Sequence, residues 1–278
     1  MNMNLIQSLI MGFVSGFAEL LPISAEAHRA LLRTFFGMSS EDAVFRLLVH
    51  LASFIGLFYA TREDIMKLRT ASALMKIPAK RRRHQPDMPS VYTNRLVRTA
   101  LVPLLFGRIF TMQFAYMENR LNLLPAALLV NGILLLIPSL VRNGNKDSRN
   151  MPRLDGILMG LGAGLSVIPG ISLVGASVSI GVARGVERNF ALRLGYILAL
   201  YGLGIQMLFD IAAIVMGGAA AFSFPGLLVA AAGAVCAGIG ANLAVKFMRF
   251  LAFRTGFFNL AYESWGAGLM CFLLFLMI

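Results

Sequence analysis

The chain has 278 residues, of which 58% are hydrophobic and 14% are charged, with a formal net charge of +12. The apolar fraction exceeds the roughly 45–50% of soluble domains, and uncharged runs such as 194–208 and 227–245 predict an all-α polytopic membrane protein. Because 20 of the 25 Lys and Arg residues lie in segments between or beside apolar runs, the positive-inside rule explains the basicity, and we expect no nucleic-acid partner.

The first predicted element is a re-entrant helical hairpin at 5–35. This stretch is mostly apolar but is interrupted by Gly12, Gly16 and Pro22. Two full membrane spans need about 40 residues, so about thirty interrupted ones predict two half-length helices with their turn inside the membrane.

Three spans are predicted next, near 43–60, 97–114 and 123–141. The first two are separated by the most charged segment of the chain, 62–98, which we predict to be a cytoplasmic loop. A second basic loop follows at 142–155.

The same succession then repeats. A second hairpin is predicted at 156–183, interrupted by glycines and by Pro169, and three further spans follow. We predict those spans to end near 216, to occupy 226–245 and to occupy 258–278, with an uncharged turn at 217–224.

If the basic segments all lie in the cytoplasm, three spans between the hairpins make the two halves enter the membrane from opposite sides. The chain is then one membrane domain of two inverted repeats, about 5–141 and 156–278, a plan that transporters and lipid-handling proteins use. A sequence echo at an offset of 148 residues supports the repeat. It comprises Met11 and Met159, Gly12 and Gly160, Gly16 and Gly164, Ile23 and Ile171, and Ser24 and Ser172.

Ionisable residues concentrate in the first hairpin, around Pro22. Glu19, Glu26 and His28 lie in an otherwise apolar setting, where such groups are costly and commonly serve pairing, transport or chemistry. Glu19 is the leading catalytic candidate, although pairing with Arg29 or with an arginine of the first span is the structural alternative. His28 with Glu19 or Glu26 predicts an acid–base pair.

Ser24 and Ser172 occupy matched points of the two hairpin turns. The N-terminal ends of re-entrant helices carry unpaired backbone N–H groups, which suit phosphate oxygens. Gly170 and Gly175 would let a headgroup approach the backbone, while a purely packing role for them is the open alternative.

These residues resemble the bacterial undecaprenyl-diphosphate phosphatases, also called bacitracin-resistance proteins. The family's motifs EGxTEFLPVSSTGH and PGxSRSGAT are matched by SGFAELLPISAEAH at 15–28 and by PGISLVGAS at 169–177. FRLLVHLAS at 45–53 is a weaker match that contains His50. The likeness runs nearly end to end, and it implies interlocked inverted repeats with two re-entrant hairpins.

Several motif residues differ from the family pattern. Ser15 stands where the family has its first glutamate, Ala25 where it has a second serine, and Leu173 where it has the arginine expected to hold the diphosphate. We consider Glu26 as a replacement for the acid, and Arg29 or Arg184 as a replacement for the cation.

Two other charges are exchanged as well. Arg193 and Glu263 occupy positions where family members often have a glutamate and an arginine, which indicates a charge pair written in reverse.

The resemblance implies a membrane phosphatase acting on undecaprenyl diphosphate or a related polyprenyl phosphate, in lipid-carrier recycling for peptidoglycan synthesis. The alternative is a catalytically inactive homologue that binds or translocates such a lipid. The expected location is the bacterial cytoplasmic membrane, with a homodimer left open. The predicted catalytic residues are Glu19, Ser24, Glu26 and His28, with Glu19 also holding Mg²⁺ or Ca²⁺, and the predicted substrate-binding residues are Arg29, His50, Gly170, Ser172, Gly175 and Ser177.

Overall fold

The computed structural model describes residues 3–38, 42–217, 224–252 and 257–277, and within them the protein is all-α. Most of the predicted turn at 217–224 lies outside these ranges, and so does the basic residue Arg254. The described helices are α1 (Leu5–Leu20), α2 (Ala25–Phe35), α3 (Ala43–Lys76), α4 (Met88–Thr111), α5 (Leu124–Leu140), α6 (Arg153–Gly164), α7 (Leu173–Ala183), α8 (Arg188–Gly217), α9 (Phe224–Ala252) and α10 (Phe257–Met277).

Five of these helices, α3, α4, α8, α9 and α10, are long and apolar enough to cross a membrane. The one remaining predicted span, 123–141, corresponds to α5, which is a shorter apolar helix of 17 residues. The described part of the chain therefore has the helices of a polytopic membrane protein, with two long helices and one shorter one after the first hairpin and three long helices after the second.

The two predicted hairpins are the helix pairs α1–α2 and α6–α7. At 1.5 Å per residue, the 16 residues of α1 extend about 24 Å, and the 11 residues of α2 about 16 Å. Neither length crosses a hydrocarbon core of about 30 Å. Helix α1 stops because Leu21, which precedes Pro22, is forced into an extended conformation.

The prediction of a loop over 62–98 is wrong for most of its length. Helix α3 continues to Lys76 and α4 begins at Met88, so the segment between them is only 77–87, with a short 3₁₀ turn at Ala79–Arg81. Lysine and arginine are good helix formers, and charge alone does not end a helix that leaves the apolar layer. Helix α3 ends before Pro78, which disfavours helical geometry at the preceding residue. The placement of the 77–87 segment in the cytoplasm stays a prediction.

The two halves clasp each other through the same contact made twice. Helix α1 packs against α9, and α6 packs against α4. A Cβ at Gly12 would overlap the carbonyl oxygen of Gly233, and a Cβ at Gly160 would overlap that of Ala100. Gly160 lies 148 positions after Gly12, and Gly233 lies 133 positions after Ala100.

One helical turn further along, the contact is repeated. Gly16 meets the backbone of Ala237, and Gly164 meets the backbone of Leu104. The sequence echo thus coincides with helix crossings in which the backbones touch, as small residues permit in membranes. This correspondence supports the predicted two-fold repeat.

Replacing either glycine of this repeated contact by alanine should destabilise the protein. In Gly12→Ala and Gly160→Ala the added methyl group would displace a neighbouring helix backbone, at a cost of about 1–3 kcal/mol. Thermal unfolding in detergent would measure the effect. Gly204→Ala is the matched control, because a Cβ there meets nothing within 4 Å. Equal unfolding temperatures for all three variants would contradict the proposed role of these contacts.

Candidate active site

The turns of the two hairpins meet and are joined by the two matched serines. Ser24 caps α2, and its Oγ accepts a hydrogen bond of 2.9 Å from the backbone N–H of Gly170 in the other turn. Ser172 caps α7, and its hydroxyl donates a hydrogen bond of 3.1 Å to the carbonyl oxygen of Leu21. Each serine therefore caps its own helix and binds the opposite turn.

Asn131 of α5 is a third link between the turns, and the sequence analysis missed it. Its Oδ1 accepts a hydrogen bond of 2.9 Å from the backbone N–H of Ser172. Its Nδ2 donates to the carbonyl oxygen of Pro22 at 3.2 Å and to Ser264 Oγ at 3.1 Å. The side chain is fully buried, so these bonds satisfy backbone groups that no water reaches.

The glycines of the second motif allow this close approach of the turns. Gly170 has a positive φ of 108°, and a Cβ there would overlap Ala127. A Cβ at Gly175 would come within 3.1 Å of Pro22. The packing alternative therefore has direct support at both positions. Ser177 is fully buried on α7 and, like both glycines, does not line the cavity described next.

A cavity of about 180 Å³ lies where the hairpin turns meet. Four of the predicted site residues line it, namely Glu19, Ser24, Glu26 and Ser172. Other polar side chains, which were not predicted to belong to the site, also line it, namely Ser166 of the second hairpin and Arg46, Arg108, Gln206 and Asp210 of the surrounding helices. The cavity thus joins both hairpins with α3, α4 and α8.

Most of the charges in and behind the cavity form one paired network. Buried Asp210 binds Arg46 Nε at 3.1 Å and His50 Nδ1 at 2.6 Å. On its other side, His50 Nε2 lies 3.4 Å from a terminal nitrogen of Arg29, which also forms an ion pair with Glu26. The two ring nitrogens of His50 therefore connect Asp210 on one side with Arg29 on the other. Arg29 and His50 therefore lie behind the cavity wall.

Two charges that line the cavity lie outside this network. The half-buried Glu19 carboxylate has no hydrogen bond or ion pair with any residue that the structure describes. Arg108 is 5% exposed and donates to Ser166 Oγ at 3.1 Å and to Gln206 Oε1 at 2.5 Å. Neither acceptor is charged, so the cavity carries one carboxylate and one guanidinium without an ionic partner among the described residues.

His28 is placed differently from the prediction. Its Nε2 binds Glu263 Oε1 of α10 at 2.7 Å, its Nδ1 contacts the carbonyl oxygen of Ser24 at 2.6 Å, and it does not line the cavity. The predicted pairing with Glu19 or Glu26 is wrong in this structure. Residues two apart on a helix point to opposite sides, so Glu26 faces the cavity and His28 faces away.

The other predicted charge replacements are also resolved. Arg184 forms an ion pair with Asp155 at 2.9 Å and does not line the cavity. Asp155 also binds Lys146, at 2.7 Å. The expected pair of Arg193 with Glu263 is wrong, because Glu263 binds His28, as described above.

Arg193 has a different partner, Asp64 of α3, at 2.9 Å.

Arg108 and Asp210 were identifiable from the sequence as single charges inside apolar runs, a pattern that marks functional positions in membrane helices.

A divalent cation finds one available carboxylate here. No group of three or more His, Cys, Asp or Glu side chains in the described residues is arranged to hold a metal. Glu26 and Asp210 already pair with cations, which leaves Glu19. The cavity therefore fits a cation only if substrate oxygens complete its coordination, as is common for Mg²⁺ with phosphates.

Comparisons with known proteins identify a family model that covers most of the chain and several relatives of similar sequence. Residues 8–270 match the family model described as bacitracin resistance protein BacA. An undecaprenyl-diphosphatase of Methanobrevibacter smithii is 29% identical over 98% of this chain and 98% of its own length. An undecaprenyl-diphosphatase of Carboxydothermus hydrogenoformans is 30% identical over 71% of this chain and 70% of its own length. Undecaprenyl-diphosphatase 1 of Shouchella clausii is 30% identical over 71% of each chain.

Removing the Asn131 side chain should loosen the junction of the two turns. Asn131→Ala leaves the backbone N–H of Ser172 and the carbonyl oxygen of Pro22 without a hydrogen bond, at about 1–3 kcal/mol for each group left unsatisfied. We expect a clearly lower unfolding temperature in detergent. Asn145→Ala, at an exposed position whose side chain forms no hydrogen bond among the described residues, is the control. Equal stability of the two variants would contradict the role given to Asn131.

Proposed function

The chain belongs to the bacitracin resistance protein BacA family, and on that premise we propose that it is a membrane phosphatase acting on undecaprenyl diphosphate in lipid-carrier recycling. One observation carries the proposal. The cavity at the meeting point of the hairpins holds an unpaired carboxylate, Glu19, beside the N-terminal ends of α2 and α7. A diphosphate headgroup needs both a base for water and donors for its oxygens, and this cavity offers both.

The chemistry is hydrolysis of a phosphoanhydride. A water oxygen attacks the terminal phosphorus while the bond from that phosphorus to the bridging oxygen breaks. The products are undecaprenyl phosphate and inorganic phosphate. Glu19 accepts the proton of the attacking water, which is the role of a general base. Its lack of an ion pair leaves its lone pairs free for that water.

The helix termini bind the phosphate oxygens. The first N–H groups of a helix have no intrahelical acceptor, and both α2 and α7 begin at the cavity. Ser24 uses its oxygen to accept two backbone hydrogen bonds, which leaves its O–H to donate to a phosphate. Ser172 spends its O–H on Leu21, so it contributes through the helix that it caps.

A divalent cation, Mg²⁺ or Ca²⁺, is part of this proposal. Glu19 would hold it together with diphosphate oxygens, and the cation would supply neutralisation of charge on the headgroup. The ion-paired Glu26 instead keeps Arg29 in place behind the cavity.

A second candidate function is binding or translocation of a polyprenyl phosphate without hydrolysis. It is favoured by Leu173, which puts an apolar side chain where the family motif has arginine. It is also favoured by the position of His28 outside the cavity. A buried anion site between inverted repeats is a plan that transporters share.

The finer setting is also proposed. We place the protein in the bacterial cytoplasmic membrane, with the 77–87 segment in the cytoplasm, where its basic residues face anionic headgroups. Cysteine labelling at Arg81 from the extracytoplasmic side would contradict that orientation. A homodimer stays a prediction, which the mass of the solubilised protein tests.

The proposal predicts loss of hydrolysis in Glu19→Gln. The amide retains the shape of the side chain but accepts no proton, so phosphate release from undecaprenyl diphosphate should fall by roughly 100-fold or more. Release is measured with purified protein in detergent, with Mg²⁺ or Ca²⁺. Glu63→Gln, which changes an exposed carboxylate of α3 outside the cavity, should retain the wild-type rate.

The same assay separates the two candidates. Wild-type protein that releases no phosphate with either metal would reject the phosphatase. Movement of undecaprenyl phosphate between the leaflets of proteoliposomes would then support translocation.

A further inference from the structure

Arg108 is a buried cation that forms no salt bridge with any residue that the structure describes. The residue is 5% exposed, and no carboxylate of the described residues lies within 4.0 Å of its side-chain nitrogens. Arginine remains charged at any physiological pH, so the protein cannot remove the burial penalty by deprotonation. Its Nε has no hydrogen-bond partner among the described residues. A guanidinium in this state is suited to bind an anion that enters the cavity.

Two neighbours hold the guanidinium in a fixed orientation. Ser166 of the second hairpin and Gln206 of α8 accept from its two terminal nitrogens. Gln206 also donates to Asp210 at 3.4 Å, and the charge of Asp210 is compensated by Arg46 and His50. Arg108 is thus fixed by neutral acceptors, while the carboxylates of Glu19, Glu26 and Asp210 act on its charge from more than 4.0 Å away.

The guanidinium lies beside the side chain of Leu173. A Cβ placed on Gly202 of α8 would lie 3.4 Å from a terminal nitrogen of Arg108, and it would also overlap the end of the Leu173 side chain. Both side chains line the same cavity. A cation carried by α4 therefore reaches the region in which the second motif of this chain provides only an apolar group.

We propose that Arg108 binds the phosphate oxygens of the lipid substrate, and that it provides from α4 the positive charge that Leu173 does not provide from α7. This inference rests on the proposed function for the identity of the lipid. The planar guanidinium suits paired hydrogen bonds to phosphate. During hydrolysis it also stabilises the charge that develops on the phosphoryl oxygens.

Binding measurements test this role without requiring turnover. Affinities for undecaprenyl diphosphate and for undecaprenol, which lacks phosphate, are measured with purified Glu19→Gln protein in detergent. Adding Arg108→Gln should weaken diphosphate binding by roughly 10- to 100-fold, the range of a charged hydrogen bond, and should leave undecaprenol binding unchanged. Arg98→Gln, at an exposed position on the same helix, should change neither affinity.

A rescue variant tests the shared location. In Arg108→Gln with Leu173→Arg, the diphosphate affinity should recover at least tenfold. Equal weakening for both lipids would indicate a structural role and would overturn the proposal. Unchanged diphosphate binding in Arg108→Gln would overturn it as well. Unfolding temperatures of all variants identify any that are misfolded, and Arg108→Lys, which retains the charge, then serves as the second test and should bind diphosphate more tightly than Arg108→Gln.

The outcomes distinguish this inference from the proposed function. If wild-type protein hydrolyses the lipid while Arg108→Gln binds it normally, the phosphatase stands and the role of Arg108 is rejected. If wild-type protein does not hydrolyse it but Arg108→Gln loses diphosphate-specific binding, the role of Arg108 stands for a lipid-binding protein.

Discussion

The structure depends on the satisfaction of backbone polar groups where two helical hairpins are interrupted inside an apolar environment. An unpaired N–H or C=O at that depth costs several kcal/mol. Ser24, Ser172 and Asn131 supply the missing partners, and each of them links the two turns. The same hydrogen bonds that make the interruptions tolerable therefore bring Glu19 of one half and Ser172 of the other to a single cavity.

Pairing of charges then determines which groups remain available for chemistry. Of the carboxylates that line the cavity, Asp210 and Glu26 are held by arginines, and His50 connects their two pairs. This removes most of the charge in and behind the cavity from contact with a ligand, and it leaves one carboxylate and one guanidinium, those of Glu19 and Arg108, without a salt bridge among the described residues. A carboxylate and a guanidinium in one cavity suit a phosphate ligand that reacts with water, because the guanidinium can bind the anion and the carboxylate can bind the water.

The sequence predicts more of the fold than of the site. The interruptions at Pro22 and Pro169 and the echo of Ser24 in Ser172 are local signals, and they were sufficient to place both hairpins and their junction. The charged stretch after α3 was misread because the positive-inside rule concerns location, whereas helix continuation depends on propensity and on Pro78. The pairing of His28 with Glu263 joins residues 235 positions apart, and no local pattern specifies such a contact. Arg108 carries a detectable signal as a lone charge in a span, but its direction depends on how α4 crosses α6 and α8.

The repeated glycine contact has a consequence for biogenesis. During synthesis, the backbone partner of the second hairpin is made first, because Ala100 of α4 precedes Gly160 in the chain. The first hairpin has no such partner until Gly233 of α9 is made, near the end of the chain. A chain synthesised only as far as α8 can therefore have its second hairpin in backbone contact with α4, while the corresponding contact of the first hairpin forms only once α9 follows.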